Sequence, residues 1–145
     1  MTRATLGGAI LTDADLADVD LENANMVEAK LDGAELKNTH LNGALLIRTR
    51  LNGARLSGAD LTGANLSNSR IRNADVTDAD FSYADLNGAI FEPNSNPAIA
   101  RGIATSKHLE LVKFIEFQDA LARLQIRFKD DNFQEQEREV IYAMR

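Results

Sequence analysis

The sequence contains no cysteine and no tryptophan, and it has two prolines and two tyrosines among 145 residues. Without cysteine the chain can form neither a disulfide bond nor a thiolate metal site. The shortage of aromatic side chains removes the platforms on which single-stranded nucleic acids stack. No stretch approaches the roughly 18 apolar residues of a membrane-spanning helix, and the first residues lack the apolar run of a secretory signal. The expected location is therefore the cytoplasm.

Positive charge is also in short supply. The formal net charge is −6, whereas binding to a phosphate backbone requires an excess of lysine and arginine. Direct binding to nucleic acid is therefore not expected. The residues after Pro97 contain equal numbers of acids and bases, so the whole net charge lies before them.

A five-residue repeat fills the first two-thirds of the chain. From Leu6 to Phe91 every fifth residue is large and apolar, without an insertion. The position two before it is small, usually alanine, and the position two after it is usually glycine, asparagine or aspartate. We place the following members of the series in the structural core: Leu16, Leu31, Leu36, Leu51, Leu56, Leu61, Ile71 and Phe81.

A period of five is incompatible with a continuous helix or strand. Five residues advance about 140° beyond a full turn of an α-helix, which would spread the apolar residues around the cylinder. On a strand, an odd step places successive apolar residues on opposite faces. Both problems disappear if the chain turns a corner every five residues. The glycine, asparagine and aspartate residues suit such corners, because they tolerate turn and left-handed conformations.

The repeat resembles that of the pentapeptide-repeat family, since residues 14–16, 59–61 and 84–86 all read Ala-Asp-Leu. The resemblance covers about residues 4–92. It implies an all-β solenoid, a right-handed quadrilateral β-helix with four repeats in each coil. Residues 20 apart would then stack on the same face.

On that basis one face carries the stacked residues Lys30, Arg50 and Arg70, flanked by Ile10 and Ile90. Like charges at this spacing repel each other. The stack is therefore a candidate docking site for an acidic partner. The alternative is that these long side chains simply spread into water.

A second candidate is an apolar cluster of Val27, Leu45 and Ile47 near Leu46. Exposed apolar patches are characteristic of interfaces. Packing against the tail, or no function at all, would equally account for three such residues.

Pro93 and Pro97 end the repeat. Residues 1–93 are therefore predicted to form the β-helix and residues 94–145 an α-helical tail. Asn96-Pro97 predicts the start of a short helix that ends near Ala104, with Thr105 or Ser106 capping a second helix.

Apolar stripes in the rest of the tail predict a helical hairpin. This hairpin could cap the solenoid or pair two chains as a homodimer. The sequence stops inside a periodic helix, so we also expect it to be a piece of a longer protein.

The sequence offers little for catalysis. It has no phosphate-binding loop and no nucleophile elbow, and His40 and His108 lie in different parts of the chain. A lumen filled with leucine and alanine leaves no cavity for a substrate. We therefore expect neither an enzyme, a metal nor a cofactor.

The leading functional hypothesis is a non-enzymatic scaffold for protein–protein interaction, with an unknown partner. The resemblance implies an alternative, because some pentapeptide-repeat proteins mimic DNA, bind type II topoisomerases and confer quinolone resistance. The short stack argues against mimicry, as do five arginines that interrupt its acidic surface: Arg48, Arg50, Arg55, Arg70 and Arg72.

A third hypothesis is a cytosolic module of a larger membrane-associated protein. Residues 128–144 are similar to a segment of larger bacterial pentapeptide-repeat proteins that carry membrane helices further along the chain.

Overall fold

The computed structural model describes residues 3–92 and 102–107. Parallel bridges join positions 20 residues apart, from Thr5↔Asn25 at one end to Asn65↔Asp85 at the other. Two of the paired segments are long enough to form strands, β1 (Arg70–Arg72) and β2 (Ile90–Glu92), which pair in the same register. Because the chain returns to the same place after four five-residue segments, the predicted β-helix is confirmed in its described part.

Each corner is a tight turn. The N–H of Ala9 donates to the carbonyl of Leu6 over 3.0 Å, and the same bond recurs along the repeat. The residue before the closing donor has a positive φ, such as 70° at Gly33 and 57° at Asp13. A positive φ at this position is what a type II turn requires, so the preference for glycine, asparagine and aspartate follows from the backbone.

The carboxylates and amides on the faces also support the turns. Asp60 Oδ1 accepts the N–H of Thr62 over 2.9 Å, and Asn65 Oδ1 accepts that of Ser67 over 3.0 Å. These are local Asx turns, in which the side chain satisfies a backbone donor two residues ahead. The frequent aspartates of the faces therefore have a structural role.

The lumen is a single apolar column. Most of the predicted core residues are fully buried: Leu31, Leu36, Leu51, Leu56, Leu61, Ile71 and Phe81. Phe81 and Phe91 make an edge-to-face contact with ring centroids 5.5 Å apart. Leu16 differs from the prediction and is only partly buried. It belongs to the first coil, which has no coil below it among the described residues.

The C-terminal part of the described chain also departs from the predicted tail. Gly102 has a φ of 70° and is followed by a 3-10 helix, Ile103–Thr105. Lys107 then forms a parallel bridge with Asp85, 22 residues earlier. The chain thus rejoins the solenoid after two extra residues.

At the end of the predicted short helix, residues Ile103–Thr105 form a 3-10 helix and not an α-helix. The second predicted helix, with Thr105 or Ser106 as its cap, lies outside the described residues except for Lys107, which pairs with Asp85. The N–H of Lys107 donates to the carbonyl of Ala84 over 2.7 Å, so this residue is hydrogen-bonded to the last coil of the solenoid. Ile103 is buried on the last coil. The remainder of the tail, including the predicted hairpin and the homodimer built on it, lies outside the described residues.

Candidate interaction surfaces

Four faces of the solenoid are numbered here in chain order. In the first coil, face 1 is residues 4–8, face 2 is 9–13, face 3 is 14–18 and face 4 is 19–23. Each later coil adds the residues 20 positions further along to the same face. Because neighbouring faces meet at a corner, residues of adjacent segments can form one surface.

Face 2 carries the basic ladder, defined as Lys30, Arg50 and Arg70. Parallel bridges join Lys30 to Arg50 and Arg50 to Arg70, so the three residues stack at the usual strand spacing of roughly 4.8 Å. All three are exposed. The expected flanking residues are also in place, because Ile10 pairs with Lys30 below the ladder and Ile90 pairs with Arg70 above it.

Acidic neighbours only partly neutralise this ladder. Arg50 Nε lies 2.9 Å from Asp32 Oδ2, and the adjacent Arg72 lies 3.2 Å from Glu92. Lys30 and Arg70 make no ion pair within residues 3–92 and 102–107. The ladder therefore presents two cations that a partner could engage without first breaking an existing pair.

Face 1 carries the apolar cluster, defined as Val27, Leu45 and Ile47. Leu45 is 41% exposed, and Val27 and Ile47 are half-buried. Leu45 stands in a column otherwise made of asparagine in its neighbouring coils, since it pairs with Asn25 below and Asn65 above. Leucine is therefore not required by the repeat at this position.

The corner between faces 1 and 2 joins the two groups. It carries Glu28 and Arg48, which occupy the position where the repeat usually has glycine, asparagine or aspartate. Their φ values are 61° and 57°, and Arg48 Nη1 lies 3.4 Å from Glu28 Oε1. A left-handed conformation costs such residues roughly 1–2 kcal/mol each, and an exposed ion pair returns about 1 kcal/mol or less.

Strained residues of this kind concentrate at functional sites. Glu28 and Arg48 were not predicted to form a pair, although both break the Gly/Asn/Asp rule of their position. This departure from the repeat is visible in the sequence and could have identified the corner as unusual. We name the corner with its two flanking groups the cationic edge: Val27, Glu28, Lys30, Leu45, Ile47, Arg48, Arg50 and Arg70.

Faces 3 and 4 form the acidic surface. Face 4 holds no lysine or arginine in any of its four described segments, 19–23, 39–43, 59–63 and 79–83. The acids of the two faces are Asp15, Asp18, Asp20, Glu22, Glu35, Asp60, Asp75, Asp78 and Asp80. Against them stand Lys37 and Arg55, and Arg55 Nη1 is paired with Glu35 Oε2 at 3.0 Å.

The arginines that were expected to interrupt the acidic surface are divided among the faces. Arg48, Arg50, Arg70 and Arg72 lie on the adjoining faces 1 and 2, and the first two and Arg72 pair with acids there. Of the five arginines held against mimicry, Arg55 is the one that lies on faces 3 and 4.

The described residues contain no cluster of His, Asp or Glu side chains that could hold a metal ion. His40 is exposed in the stack between Asp20 and Asp60. No helix in this described part of the chain is long and apolar enough to cross a membrane.

Comparison with family models matches pentapeptide repeats, in eight copies, to residues 1–38, 29–68, 39–78 and 59–92. These matches cover the whole coil stack and more than half of the chain. The chain belongs to the pentapeptide-repeat family. Its right-handed β-helix is the fold of this family. Curated proteins yield no match.

Several solved pentapeptide-repeat structures are similar to this chain. HetL from Nostoc sp. strain PCC 7120, involved in regulating heterocyst differentiation, is 33% identical over 63% of this chain and 48% of its own, with a TM-score of 0.33. The protein alr5209 from Nostoc PCC 7120 is 33% identical over 66% of this chain and 79% of its own, with a TM-score of 0.38.

The plasmid-mediated fluoroquinolone resistance protein QnrB1 is 18% identical over 86% of this chain and 71% of its own, with a TM-score of 0.43. The present chain spans about half the length of HetL. Because these TM-scores are below 0.5, no function is inferred from the similarities. The functional proposals are based on the surfaces of this pentapeptide-repeat chain.

Proposed function

We propose that this chain is a non-enzymatic scaffold that binds a partner protein through the cationic edge. Proteins of the pentapeptide-repeat family are generally structural or interaction proteins rather than enzymes. One observation carries the proposal: a partly exposed apolar cluster and a ladder of stacked cations meet at a corner whose backbone is strained.

The chemistry of the edge fits an acidic partner with an apolar centre. Arginine side chains bind carboxylates in a planar, two-pronged geometry, and arginine is frequent among the residues that dominate binding energy. Leu45 and its neighbours supply apolar area that can be buried at the centre of the contact. The surrounding charge speeds association and selects an acidic surface over a basic one.

Charge reversal on two different faces tests the proposal. The variant Arg50→Glu with Arg70→Glu alters the cationic edge, and Lys37→Glu with Arg55→Glu makes the same change in net charge on face 3. The measurement is quantitative affinity capture from the source cells. We expect the wild type and the face 3 variant to retain the same partner, and the edge variant to bind it about tenfold more weakly or not at all. Equal retention by all three proteins would contradict the proposal.

A third variant in the same experiment tests the apolar contribution. Leu45→Asn continues the column of Asn25 and Asn65, so it should leave thermal stability unchanged. Captured partner should nevertheless fall, because the apolar area at the centre of the contact is lost. Full retention of the partner by this variant would show that the apolar cluster does not contribute to binding.

The acidic surface supports a second candidate function, mimicry of DNA toward a type II topoisomerase. Faces 3 and 4 present columns of carboxylates that Arg55 and His40 each interrupt once, and the arginines of the cationic edge lie on the other two faces. A gyrase supercoiling assay tests this candidate. Absence of both inhibition and protection at micromolar protein would exclude it.

The expectations of a cytoplasmic location and of a module within a larger membrane-associated protein remain proposals. The first concerns the location of the protein in the cell, and the second was based on residues 128–144, which lie outside the described part of the chain. Sequencing of the full gene tests the second, since an open reading frame that ends at Arg145 would exclude it.

A further inference from the structure

The first coil has no coil beneath it among residues 3–92 and 102–107, and we call this end of the described solenoid the open end. Its lumen residues Leu6, Leu11 and Leu16 are only partly buried, and Val19 is 36% exposed. One coil later, Met26 is fully buried. The opposite end differs, because residues 102–107 pair with the last coil there.

The backbone of this open end has more acceptors than donors. In inner coils each segment turns one N–H and two carbonyls toward the preceding coil. Arg50 illustrates this, because its N–H donates to the carbonyl of Ala29 over 3.0 Å and its own carbonyl accepts from Leu31 over 2.7 Å. The carbonyl of Asn52 accepts from Gly33 over 2.9 Å.

On faces 3 and 4 of the first coil, the corresponding groups are the N–H groups of Asp15 and Asp20 and the carbonyls of Asp15, Ala17, Asp20 and Glu22. None of them has a hydrogen-bond partner within residues 3–92 and 102–107. An exposed sheet edge of this kind is a template for pairing with another extended chain. Its surplus of carbonyls favours a chain rich in additional donors.

The side chains at this edge indicate the same chemistry. Five exposed acids surround it, and none forms an ion pair within the described residues: Asp13, Asp15, Asp18, Asp20 and Glu22. The first coil, residues 4–23, contains no lysine or arginine, and Arg3 lies just before it. A second copy of the chain, placed end to end, would bring these acids against themselves. A basic segment would neutralise them.

We propose that the open end binds an extended, lysine- or arginine-rich segment of a partner protein. The segment pairs with the backbone of Asp15 and Asp20 as an added coil, places its small or apolar side chains over Leu16 and Val19, and directs its cations to the acids and the corner carbonyls. This surface is separate from the cationic edge, so failure of either proposal leaves the other standing.

The probe is a synthetic peptide of two five-residue segments, with valine at the two inward positions of each segment and lysine at the others, so that it can span faces 3 and 4. Its control has the same lysines with prolines in place of the valines, which removes backbone donors but keeps the charge. Binding to the full chain is measured by fluorescence anisotropy, and amide hydrogen exchange is followed with and without the peptide. We expect the first peptide to bind and to protect the amides of Asp15 and Asp20, and the proline peptide not to protect them.

Two charge reversals locate the site. Asp20 and Asp60 lie in the same column, and each accepts a backbone N–H two residues ahead, at 3.0 and 2.9 Å. Asp20→Lys should weaken peptide binding by about tenfold or more, whereas Asp60→Lys should leave it within about twofold. The two peptides are compared on the wild-type protein, so the proposal can still be tested if Asp20→Lys does not fold.

Three results would overturn the proposal. Equal weakening by Asp20→Lys and Asp60→Lys would indicate general attraction to the acidic surface. Protection of the Asp15 and Asp20 amides in the free, monomeric protein would show that the chain covers its own end. Protection that depends on protein concentration, with a dimer in sedimentation, would assign the end to a second copy.

Discussion

Single polar side chains in the lumen differ in whether they find a hydrogen-bond partner. Thr49 lies at a small inward position and its hydroxyl donates to the carbonyl of Leu46 over 2.7 Å. Ser69 occupies the same position one coil later and is also fully buried, but its hydroxyl has no partner within the described residues. A buried hydroxyl without a partner costs roughly 1–3 kcal/mol.

Two serine-to-alanine changes should therefore have opposite effects. Ser69→Ala removes an unsatisfied group at a position where the next coil has Ala89, and we expect the free energy of unfolding to rise by about 1 kcal/mol. Ser106→Ala removes a hydroxyl that donates to the carbonyl of Phe81 over 3.0 Å, and stability should fall by about 1 kcal/mol. Chemical denaturation measures both. A loss of stability in Ser69→Ala would show that its hydroxyl has a partner after all.

Residue types at the corners were predictable only in part. The period identified the corner position, and the backbone explains why Gly33 and Asp13 occupy it. It does not explain Glu28 and Arg48, nor Tyr83, which has a φ of 59° and is 62% exposed. The sequence shows that these residues break the rule, but the strain at each became visible only with the backbone angles.

At the scale of the coil, position in the stack decides how much a lumen residue contributes. Leu16 and Leu56 lie in the same column of face 3, two coils apart. Leu56 is fully buried between neighbouring coils, and Leu16 is partly buried at the open end. The repeat assigns both to the lumen and cannot distinguish them, because burial depends on which coil has a neighbour.

The pair makes a direct test of that difference. Leu56→Ala should lower the free energy of unfolding by roughly 2–5 kcal/mol, the usual cost of a cavity in a closed core. Leu16→Ala should cost clearly less, because less of its surface is removed from water in the native state. Equal losses in urea denaturation would mean that something covers the first coil.

The segment 102–107 shows where sequence reasoning fails for an element. Pro93 and Pro97 signalled the end of the repeat, and helix-start signals suggested that helices follow. The 22-residue step from Asp85 to Lys107 breaks the period, so no pattern of fives could reveal the bridge. Tertiary pairing outweighed the local signal, because Ile103 is buried in the apolar core at this end of the lumen.

At the scale of the whole molecule, the fold arranges charges that look mixed in the sequence. Periodicity alone required a corner every five residues, and the four-sided coil came from the family resemblance. Given four sides, the basic ladder could be predicted. The position of Arg48 beside the basic ladder was missed, because Arg48 lies at a corner while the ladders were assigned from the outward position before each large residue.

Stacking also makes stability a property of the whole solenoid. Each inner coil is hydrogen-bonded to the coils above and below it, so disruption of one coil removes the support of two neighbours. Leu56→Asp places an unpaired charge in the closed lumen, which costs several kcal/mol. We expect this variant to lose amide protection together at Leu36 and Val76, in the coils on both sides of the substitution. Asp60→Ala, which loses one exposed Asx turn, should keep that protection and melt within a few degrees of the wild type. Protection lost in the substituted coil alone would show that the coils fold independently of one another.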